Sequence, residues 1–432
     1  MMLKKGHGVK SMIDKKEVLK KHKKNKGKIE VFGKVEVNTI NELSTYYTPG
    51  VALVSEEIKK NKELAYEYTN KSNTIVILSD GTRILGLGDI GPEAGLPVME
   101  GKSLLFKKYG GIDAIPLCIG TKNEDEILNV IKAIAPSISA INIEDIESPK
   151  SFRIIKRATE LVEIPIFHDD QYGTAVVTLG ALNNALKIVK KGKTVKVIVF
   201  GAGSAGYGIS KLLSFAGFKN LYVFDSKGVI RKNRKEDMNE FKSEIAEITN
   251  PENKELTIED AVEGADVIIG VTGQKDYFKK EWIMKMNKKA IVFALSNPDP
   301  EISYENAVQA GAYIAATGKS NSPNQVNNVI AFPGIMNGLL EVRAKRITME
   351  MLNNAADAIS NMNEKLTRER ILPSIVDEKA SLELSANIAS AVGVTAIKNK
   401  NARVYLTAKQ IKLNMIKKVK RYNMLEKRVF LK

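Results

Sequence analysis

Two adjacent carboxylates, Asp169 and Asp170, stand where a short apolar run gives way to a polar turn. The run, residues 164–167, is typical of a buried strand, and residues 175–190 after the turn have a helical period. Because neighbouring side chains at a strand end point in opposite directions, the two acids can serve two different partners. Capping of the following helix would explain one Asp, but a doubled Asp indicates further chemistry.

A second acidic pair, Glu144 and Asp145, follows the apolar run of residues 138–143. Together with Asp170, this pair would place three carboxylates at neighbouring strand ends of one parallel sheet. Such a set of hard oxygen ligands suits Mg²⁺ or Mn²⁺. Adjacent residues of a regular strand cannot both face one ion, so Glu144 and Asp145 require a bend at the strand end. From the residues alone, a metal site and a group of solvated loop acids both remain open.

A glycine-rich turn lies in the second half of the chain and reads Gly201-Ala202-Gly203-Ser204-Ala205-Gly206. It follows the β-branched run of residues 195–200 and opens a helix, which is the context of a dinucleotide site. Gly201 would make the tight turn, Gly203 would let a pyrophosphate approach the backbone N–H groups, and Gly206 would let helix and strand pack closely. We assign Ser204 and Ala205 to the same cofactor site.

An acid at the end of the next predicted strand, Asp225, lies 24 residues after Gly201. It would accept hydrogen bonds from the adenosine ribose, which favours NAD. Four basic residues just beyond it could instead hold a 2′-phosphate, so NADP stays possible. They are Lys227, Arg231, Arg234 and Lys242.

Histidine, the usual proton-transfer residue, is scarce in this chain, which has only three. Two of them lie in a basic lead-in, and the third, His168, suits packing or orientation better than a role as base. Lys, Tyr or Asp side chains must therefore move protons. Tyr47 and Lys102 are candidates because both lie on turn-rich segments.

The composition limits the class of protein. With 432 residues, the chain is long for one core, and 44% hydrophobic residues is ordinary for a globular protein. The formal net charge of +16 belongs to the ends: residues 1–30 carry +8 and residues 398–432 carry +11, which leaves −3 for the middle. No aromatic RNA-binding signature accompanies these ends, so solvated tails or oligomer contacts are favoured over nucleic acid.

Location in the cell follows from three negative features. The lead-in lacks the apolar core of a secretory signal, and no uninterrupted apolar run approaches the ~20 residues that span a bilayer. The single cysteine, Cys118, cannot form an internal disulfide. We therefore expect a cytoplasmic protein without a membrane segment.

The elements that must position these residues alternate along the chain. Short apolar runs alternate with helical stretches, which favours an α/β fold with a parallel-sheet substrate domain and a Rossmann-type, doubly wound dinucleotide domain. In the basic tail, Ile411, Met415, Val419 and Tyr422 share one helical face, which is typical of docking. The predicted strands are residues 74–78, 113–119, 138–143, 164–167, 195–200, 221–224, 265–270, 290–295 and 312–316.

Eight short motifs together resemble one known family in their order and spacing. They are Tyr47-Thr48-Pro49-Gly50-Val51-Ala52, Arg83-Ile84-Leu85-Gly86-Leu87-Gly88-Asp89, Gly101-Lys102-Ser103, Asn142-Ile143-Glu144-Asp145, His168-Asp169-Asp170-Gln171, Gly173-Thr174-Ala175, Leu295-Ser296-Asn297-Pro298 and Asn327-Asn328-Val329. Over roughly residues 28–395, the chain is similar to the malic enzymes in their short prokaryotic form.

This resemblance implies oxidative decarboxylation of L-malate to pyruvate and CO₂, with NAD or NADP and with Mg²⁺ or Mn²⁺. It implies that Lys102 takes the proton of the C2 hydroxyl, that Asp169 pairs with Lys102, and that Tyr47 protonates C3 as general acid. The other implied contacts are the metal ligands Glu144, Asp145 and Asp170, the substrate contacts Arg83, Asn297, Asn327 and Asn328, and the dinucleotide contacts Thr272 and Asn297.

The resemblance also implies an order of domains. A basic lead-in at 1–27 precedes a substrate and metal domain at 28–168, a Rossmann domain at 169–328, and a helical segment at 329–432 that returns to the first domain and ends in the basic tail. We expect a homodimer or a larger homo-oligomer. Two other functions stay open, a malolactic-type lyase that releases lactate and a non-catalytic nucleotide-sensing or RNA-binding protein.

Overall fold

A computed structural model describes residues 14–320, 322–362 and 365–430 of the chain. Within these ranges the strands are β1 Thr74–Ser79, β2 Asp113–Cys118, β3 Ala140–Ile143, β4 Ile166–His168, β5 Val197–Phe200, β6 Leu221–Asp225, β7 Gly228–Val229, β8 Val267–Gly270, β9 Ile291–Ala294 and β10 Ile314–Thr317. The helices are α1 Lys15–Asn25, α2 Ile40–Tyr46, α3 Gly50–Lys60, α4 Ala65–Tyr68, α5 Pro92–Gly110, α6 Glu124–Ile134, α7 Lys150–Leu161, α8 Thr174–Val189, α9 Ser204–Phe215, α10 Glu240–Ile248, α11 Ile258–Val262, α12 Lys280–Met284, α13 Tyr304–Gln309, α14 Phe332–Glu341, α15 Met349–Ser360, α16 Glu378–Lys398 and α17 Ala408–Phe430.

The first sheet has the strand order β2-β1-β3-β4, and all of its pairs are parallel. Every residue of β1 and of β3 is buried, as expected for parallel strands with both faces covered by helices. Because the strands are parallel, their carboxyl ends meet at one edge of the sheet. The loops that carry the predicted acids leave from that edge.

The second sheet has the strand order β10-β9-β8-β5-β6-β7, in which only the short hairpin strand β7 is antiparallel. The chain leaves β5 toward β6 on one side and returns through β8 on the other. That reversal makes the ends of β5 and β8 a topological switch point, where open α/β sheets bind their ligands. The predicted fold class, a parallel-sheet domain with a Rossmann-type domain, is confirmed.

The last helices bind the end of the chain to the first sheet. Helices α14, α16 and α17 pack against α5 of the substrate domain, and α15 packs against α8. Ile411, Met415 and Val419 are buried on one face of α17 and Tyr422 is half-buried, so the predicted docking face is confirmed. Helix α16 is long and apolar enough to cross a membrane by length and composition. It packs against α14, α15 and α17, however, as a core helix does.

The segment before β1 packs differently from the rest. Neither α2 nor α3 has a buried residue, although the two helices contact each other. Several large apolar side chains of residues 28–60 are exposed, including Val31, Phe32, Ile40 and Leu53. The alternating residues 28–37 form no strand, because no described strand lies beside them to pair with.

Candidate active site

The first sheet brings the two acidic pairs together. Strands β3 and β4 are neighbours, and Ile143 pairs with His168 at their carboxyl ends. The next residues of each strand therefore leave the sheet side by side. One carboxylate oxygen each from Glu144, Asp145 and Asp170 lies within 4.8 Å of the others. The structure thus gathers the three predicted metal ligands in one place.

The bend that Glu144 and Asp145 require is provided at Asp145, which has a left-handed backbone with φ +51°. Asp and Asn tolerate this region better than most residues with a side chain. The carbonyl oxygen of Asp145 accepts a hydrogen bond of 3.0 Å from the backbone N–H of Arg83, which fixes the bend to the loop after β1. Both acids can therefore face the same space.

A single π-helical turn, Asp169–Gly173, joins β4 to α8 and carries the other pair of acids. A side chain at Gly173 would lie 1.9 Å from the Oδ1 atom of Asp169, so any larger residue here would displace that carboxylate. Such turns are frequent at functional sites. The turn directs Asp170 toward Glu144 and Asp145, and Asp169 toward Lys102.

Lys102 lies in the middle of α5 and points into the acidic cluster. Its Nζ atom contacts a carboxylate oxygen of Glu144 and lies 2.5 Å from Oδ2 of Asp169. The ammonium group also lies 4.9 Å from the ring centre of Phe332, at the start of α14. Asn328 donates to Oδ2 of Asp169 at 3.2 Å, so this predicted substrate residue also orients the partner of Lys102.

The charges of the cluster do not balance, and the pKa values reflect this. Burial raises the pKa of Asp145 to about 7, with Asp170 adding to the shift, and burial also raises the pKa of Glu144 well above its usual value. Burial alone would lower the pKa of Lys102, but Asp169, Glu144 and Asp170 together raise it. Asp170 is the exception: burial opposes its ionisation, yet His168 and Lys102 lower its pKa to about 2.

These properties fit a divalent cation. Among the described residues, the buried Oδ2 atom of Asp145 has no hydrogen-bond partner, although a buried acceptor normally has one. The donor set consists of carboxylate oxygens alone, which is the preference of Mg²⁺ and Mn²⁺. A cation bound by Glu144, Asp145 and Asp170 would satisfy that oxygen and balance the excess negative charge.

The glycine turn after β5 has the geometry of a phosphate site. Gly201 has φ +111°, and a side chain there would lie 2.5 Å from the carbonyl oxygen of Val271 after β8. A side chain at Gly206 would lie 1.8 Å from the carbonyl oxygen of Gly201, so helix and strand pack closely, as predicted. A side chain at Gly203 would make only an ordinary contact, 3.8 Å from Oγ of Ser148, and no side chain caps the N-terminus of α9, where Ser204 and Ala205 begin the helix. Its first N–H groups are therefore free for a phosphate.

Asp225 ends β6 and is held by two of the four predicted basic residues. Arg234 donates to both carboxylate oxygens, at 2.8 and 2.5 Å, and Nζ of Lys242 lies 2.8 Å from Oδ2. Burial opposes ionisation of Asp225, but these two cations outweigh it and hold its pKa below the usual value. The other two basic residues pair elsewhere, Lys227 with Glu236 and Arg231 with Glu255.

The two domains touch around this cleft. A side chain at Gly86, in the loop with Arg83, would lie 2.9 Å from the ring of Pro298, beside Asn297. A side chain at Gly208 of α9 would lie 2.3 Å from the carbonyl oxygen of Gln171, in the turn that carries the acids. The phosphate-binding helix therefore packs directly on the turn with Asp169 and Asp170.

Some predicted residues are not drawn into the cluster. No described contact joins Tyr47 to Lys102, and its side chain is 66% exposed at the end of α2. Asn327 caps the following turn by accepting from the N–H of Val329 at 3.0 Å. The side chains of Arg83 and Asn297 are exposed at the cleft, one on each side of the contact between the domains.

Two residues at the site were missed by the sequence analysis. Phe332 packs under Lys102, and nothing in its apolar surroundings in the sequence distinguishes it. Glu301 is fully buried and accepts from Thr272 and Ser296, in the loops after β8 and β9. Its only signal in the sequence is an acid close behind Ser296-Asn297-Pro298.

A parallel-sheet domain that gathers acids around a lysine, facing a Rossmann domain, defines the chain as a dinucleotide-dependent oxidoreductase in class. Residues 24–159 match the family described as "Malic enzyme, N-terminal domain", and residues 171–397 match "Malic enzyme, NAD binding domain". The chain belongs to the malic enzyme family, as its motifs predict.

Individual relatives agree with this assignment. The chain is 42% identical to the bifunctional malic/malolactic enzyme of Bacillus subtilis, over 89% of this chain and 94% of that protein. It is 45% identical to the NAD-dependent malic enzyme of Geobacillus stearothermophilus, over 87% of this chain and 78% of that protein. The crystal structure of the malic enzyme from Pyrococcus horikoshii has a TM-score of 0.90 and 43% identity, covering 94% of this chain and 96% of that one.

Proposed function

We propose that the chain oxidises L-malate with NAD(P) and decarboxylates the product to pyruvate and CO₂, with a divalent cation bound by Glu144, Asp145 and Asp170. The observation that carries the proposal is the convergence of Lys102 and these three carboxylates at the cleft that faces the glycine turn after β5. Membership of the malic enzyme family supports the same reaction.

The chain's own residues divide the proton transfers between them. Lys102, deprotonated, takes the proton of the C2 hydroxyl, and Asp169 accepts a hydrogen bond from it and keeps it in place. Asn328 holds Asp169 in turn. Arg83 and Asn297, on the two sides of the cleft, bind the carboxylates of the substrate, and Tyr47 returns a proton to C3.

The bound groups complete this chemistry. A divalent cation would supply Lewis-acid stabilisation of negative charge on the substrate, and an oxidised dinucleotide would accept the hydride. In the absence of cation, the acids raise the pKa of Lys102. Neutralising those acids would bring its pKa down toward the range in which a lysine acts as base.

One assay tests the reaction directly. Malate is supplied with Mn²⁺ and either NAD or NADP, and the reduced dinucleotide, pyruvate and lactate are all measured. We expect equal amounts of reduced dinucleotide and pyruvate, and none of either after chelation of the metal. Lactate without net reduction would instead support a malolactic reaction, which is worth measuring because the Bacillus subtilis relative carries both activities in its name.

For the choice of cofactor, we propose a preference for NAD. The carboxylate of Asp225 occupies Arg234 and Lys242, so neither cation is free for a 2′-phosphate. The negative charge of Asp225 would also repel a 2′-phosphate placed beside it. A lower KM for NAD than for NADP in the same assay supports this proposal, and the reverse order contradicts it.

We also propose a homodimer in which Tyr47 completes the site of the partner copy. The support is the position of Tyr47 between α2 and α3, a helical pair without buried residues, in a segment that also exposes the side chains of Val31, Phe32 and Ile40. Several large exposed apolar side chains within one segment are typical of a protein interface.

Mixed dimers test the shared site. Tyr47→Phe and Lys102→Ala should each be nearly inactive alone. When the two variants are co-expressed, random pairing in a two-fold dimer leaves about a quarter of the sites intact, and activity should return to that level. No recovery in verified mixed dimers would place both residues in one copy's site.

A further inference from the structure

Glu301 is a fully buried carboxylate that the proposed proton transfers do not use. It follows β9 and lies between the loop after β8 and the loop after β9. No described lysine, arginine or histidine forms an ion pair with it. A buried, unpaired charge is costly unless hydrogen bonds satisfy it, so the fold must gain something from this residue.

Four donors converge on the carboxylate. Oε1 accepts from the backbone N–H of Thr272 at 2.8 Å, from the Thr272 hydroxyl at 3.0 Å and from the Ser296 hydroxyl at 2.5 Å. Oε2 accepts from the backbone N–H of Ser296 at 3.2 Å. Glu301 therefore binds both loops at once.

The network extends to the backbone of both loops. The N–H of Gly273 donates to the Ser296 hydroxyl at 2.8 Å, which passes the connection on to Glu301. A side chain at Gly270, the last residue of β8, would lie 2.6 Å from Cδ of Glu301. Glycine at this position thus lets the carboxylate approach the strand end.

The place of these loops in the fold gives them a function. In a Rossmann sheet the adenosine half of the dinucleotide lies over the strands on the side of Asp225, and the nicotinamide half lies over the strands beyond the switch point. Here those strands are β8 and β9. The residue after Ser296 is Asn297, which borders the cleft against Gly86.

We propose that Glu301 is a positioning residue for the nicotinamide half of the cofactor site, because it fixes Thr272 and the Ser296–Asn297 segment relative to each other. The proposal rests on the assignment of this cleft to a dinucleotide. Glu301 acts through the two loops and does not touch the reacting atoms.

Glu301→Gln tests the proposal with little change of shape. The amide oxygen can replace Oε1, but the amide nitrogen then faces the N–H of Ser296, donor against donor. We expect the Kd of the full-length protein for NADH, measured by fluorescence titration without malate, to rise about tenfold or more. In the malate assay, KM for the dinucleotide should rise more than kcat falls.

Glu341→Gln is the matched control. Glu341 is a buried carboxylate at the far end of α14, where Asn414 donates to it at 2.8 Å and Lys418 pairs with it. This variant should lower the thermal midpoint as much as Glu301→Gln, while the Kd for NADH stays within about twofold of the wild type. An equal loss of NADH affinity in both variants would show that Glu301 contributes only to stability and does not position the cofactor site.

Ser296→Ala provides a second test if Glu301→Gln does not fold. It removes the link between Gly273 and Glu301 and should raise the Kd for NADH about threefold. When Ser296→Ala is added to Glu301→Gln, the further rise in Kd should be less than about threefold, because both changes act on the same network. An unchanged Kd in folded Glu301→Gln, or in Ser296→Ala where Glu301→Gln does not fold, overturns the proposal. Because NADH binding is measured without malate, a wild type that binds NADH but leaves malate unchanged would contradict the proposed reaction alone.

Discussion

The two sheets both end in buried acids, but they treat the charge of those acids in opposite ways. At the edge of the first sheet, four acids lie close together: Glu144, Asp145, Asp169 and Asp170. Among the described residues, the only lysine or arginine that forms an ion pair with any of them is Lys102. At the edge of the second sheet, Asp225 is held by two cations. Glu301, behind that edge, accepts four hydrogen bonds.

This difference separates two uses of a buried carboxylate. In the first cluster, burial and the neighbouring negative charges raise the pKa values of Glu144 and Asp145, which is the condition of a site prepared for a cation. The second set is already satisfied by the protein, and its acids fix loops and side chains. Buried acids whose charge is not fully paired thus lie at the catalytic site, and buried acids whose charge is fully paired hold the loops and side chains around it.

The largest expected effect comes from removing the one lysine of the first cluster. Lys102→Ala should lower kcat by about a thousandfold, because general-base catalysis by a positioned side chain contributes on the order of 10²–10⁴. The Kd for NADH should change little, since the second sheet is untouched. Malate turnover and NADH titration on the same preparation measure both quantities.

Lys102→Arg is the control that separates charge from proton transfer. Arginine keeps the positive charge among Glu144, Asp169 and Asp170, but it does not give up its proton at any relevant pH. We expect it to be as inactive as Lys102→Ala. Substantial turnover in Lys102→Arg would mean that Lys102 serves as a counter-charge and that another group is the base.

Asp145→Asn should lower activity by about a hundredfold or more and yet stabilise the metal-free protein. The pKa of Asp145 is about 7 in the folded chain, against about 3.9 in an unfolded one. The folded state therefore holds the proton more tightly, so stability falls as pH rises from about 4 to about 7 and stays lower above that range. Asparagine removes this loss, and the free energy of unfolding in chelator at pH 8 should rise by about 1–3 kcal/mol.

Asp80→Asn is the opposite case within the same sheet. Asp80 directly follows β1, fully buried and 2.7 Å from Nζ of Lys150, so its charge is paired. Its replacement should destabilise the protein by about 3 kcal/mol, because the buried ammonium group of Lys150 would keep only the exposed carboxylate of Glu147, at 3.3 Å. If Asp145→Asn also destabilised the chelated protein, the acids of the first cluster would not be in electrostatic conflict.

Asp225→Asn tests the fully paired acid at the edge of the second sheet. Losing the carboxylate would free Arg234 and Lys242 to bind a 2′-phosphate, so the ratio of kcat/KM for NADP to that for NAD should rise about tenfold. Asp266→Asn is the matched control. Asp266 pairs with Lys191 at 2.6 Å, just before β8 at the opposite edge of the sheet, and its loss should leave the ratio unchanged.

How much of the fold and of the site can be predicted from the sequence depends on whether the contacts are local or join distant parts of the chain. The strands and the glycine turn follow from local patterns of apolar residues, so the sequence predicts the fold class. The need for a bend at Glu144-Asp145 also follows from strand geometry, but the contact that makes the bend, from Arg83 to Asp145, joins residues far apart in the chain. No local pattern encodes it.

The same limit applies to the residues that position the site. Arg234 and Lys242 are visible in the sequence as basic residues near Asp225, and only their contacts show that they neutralise it rather than stand free. Glu301 looks like any loop acid until the loops after β8 and β9 close on it. The roles of Tyr47 and Asn327 in catalysis and substrate binding stay predictions from the family resemblance.

The smallest expected effect comes from Lys242, the outer of the two cations on Asp225. Arg234 donates to both oxygens of Asp225 and would keep the carboxylate in place without Lys242. Lys242→Gln should therefore change the Kd for NADH by less than about threefold and cost about 0.5–1 kcal/mol of stability. NADH titration and urea unfolding measure both. A rise of the Kd for NADH well beyond about threefold would show that the acid needs both cations, and that the second sheet is less fully satisfied than its hydrogen bonds indicate.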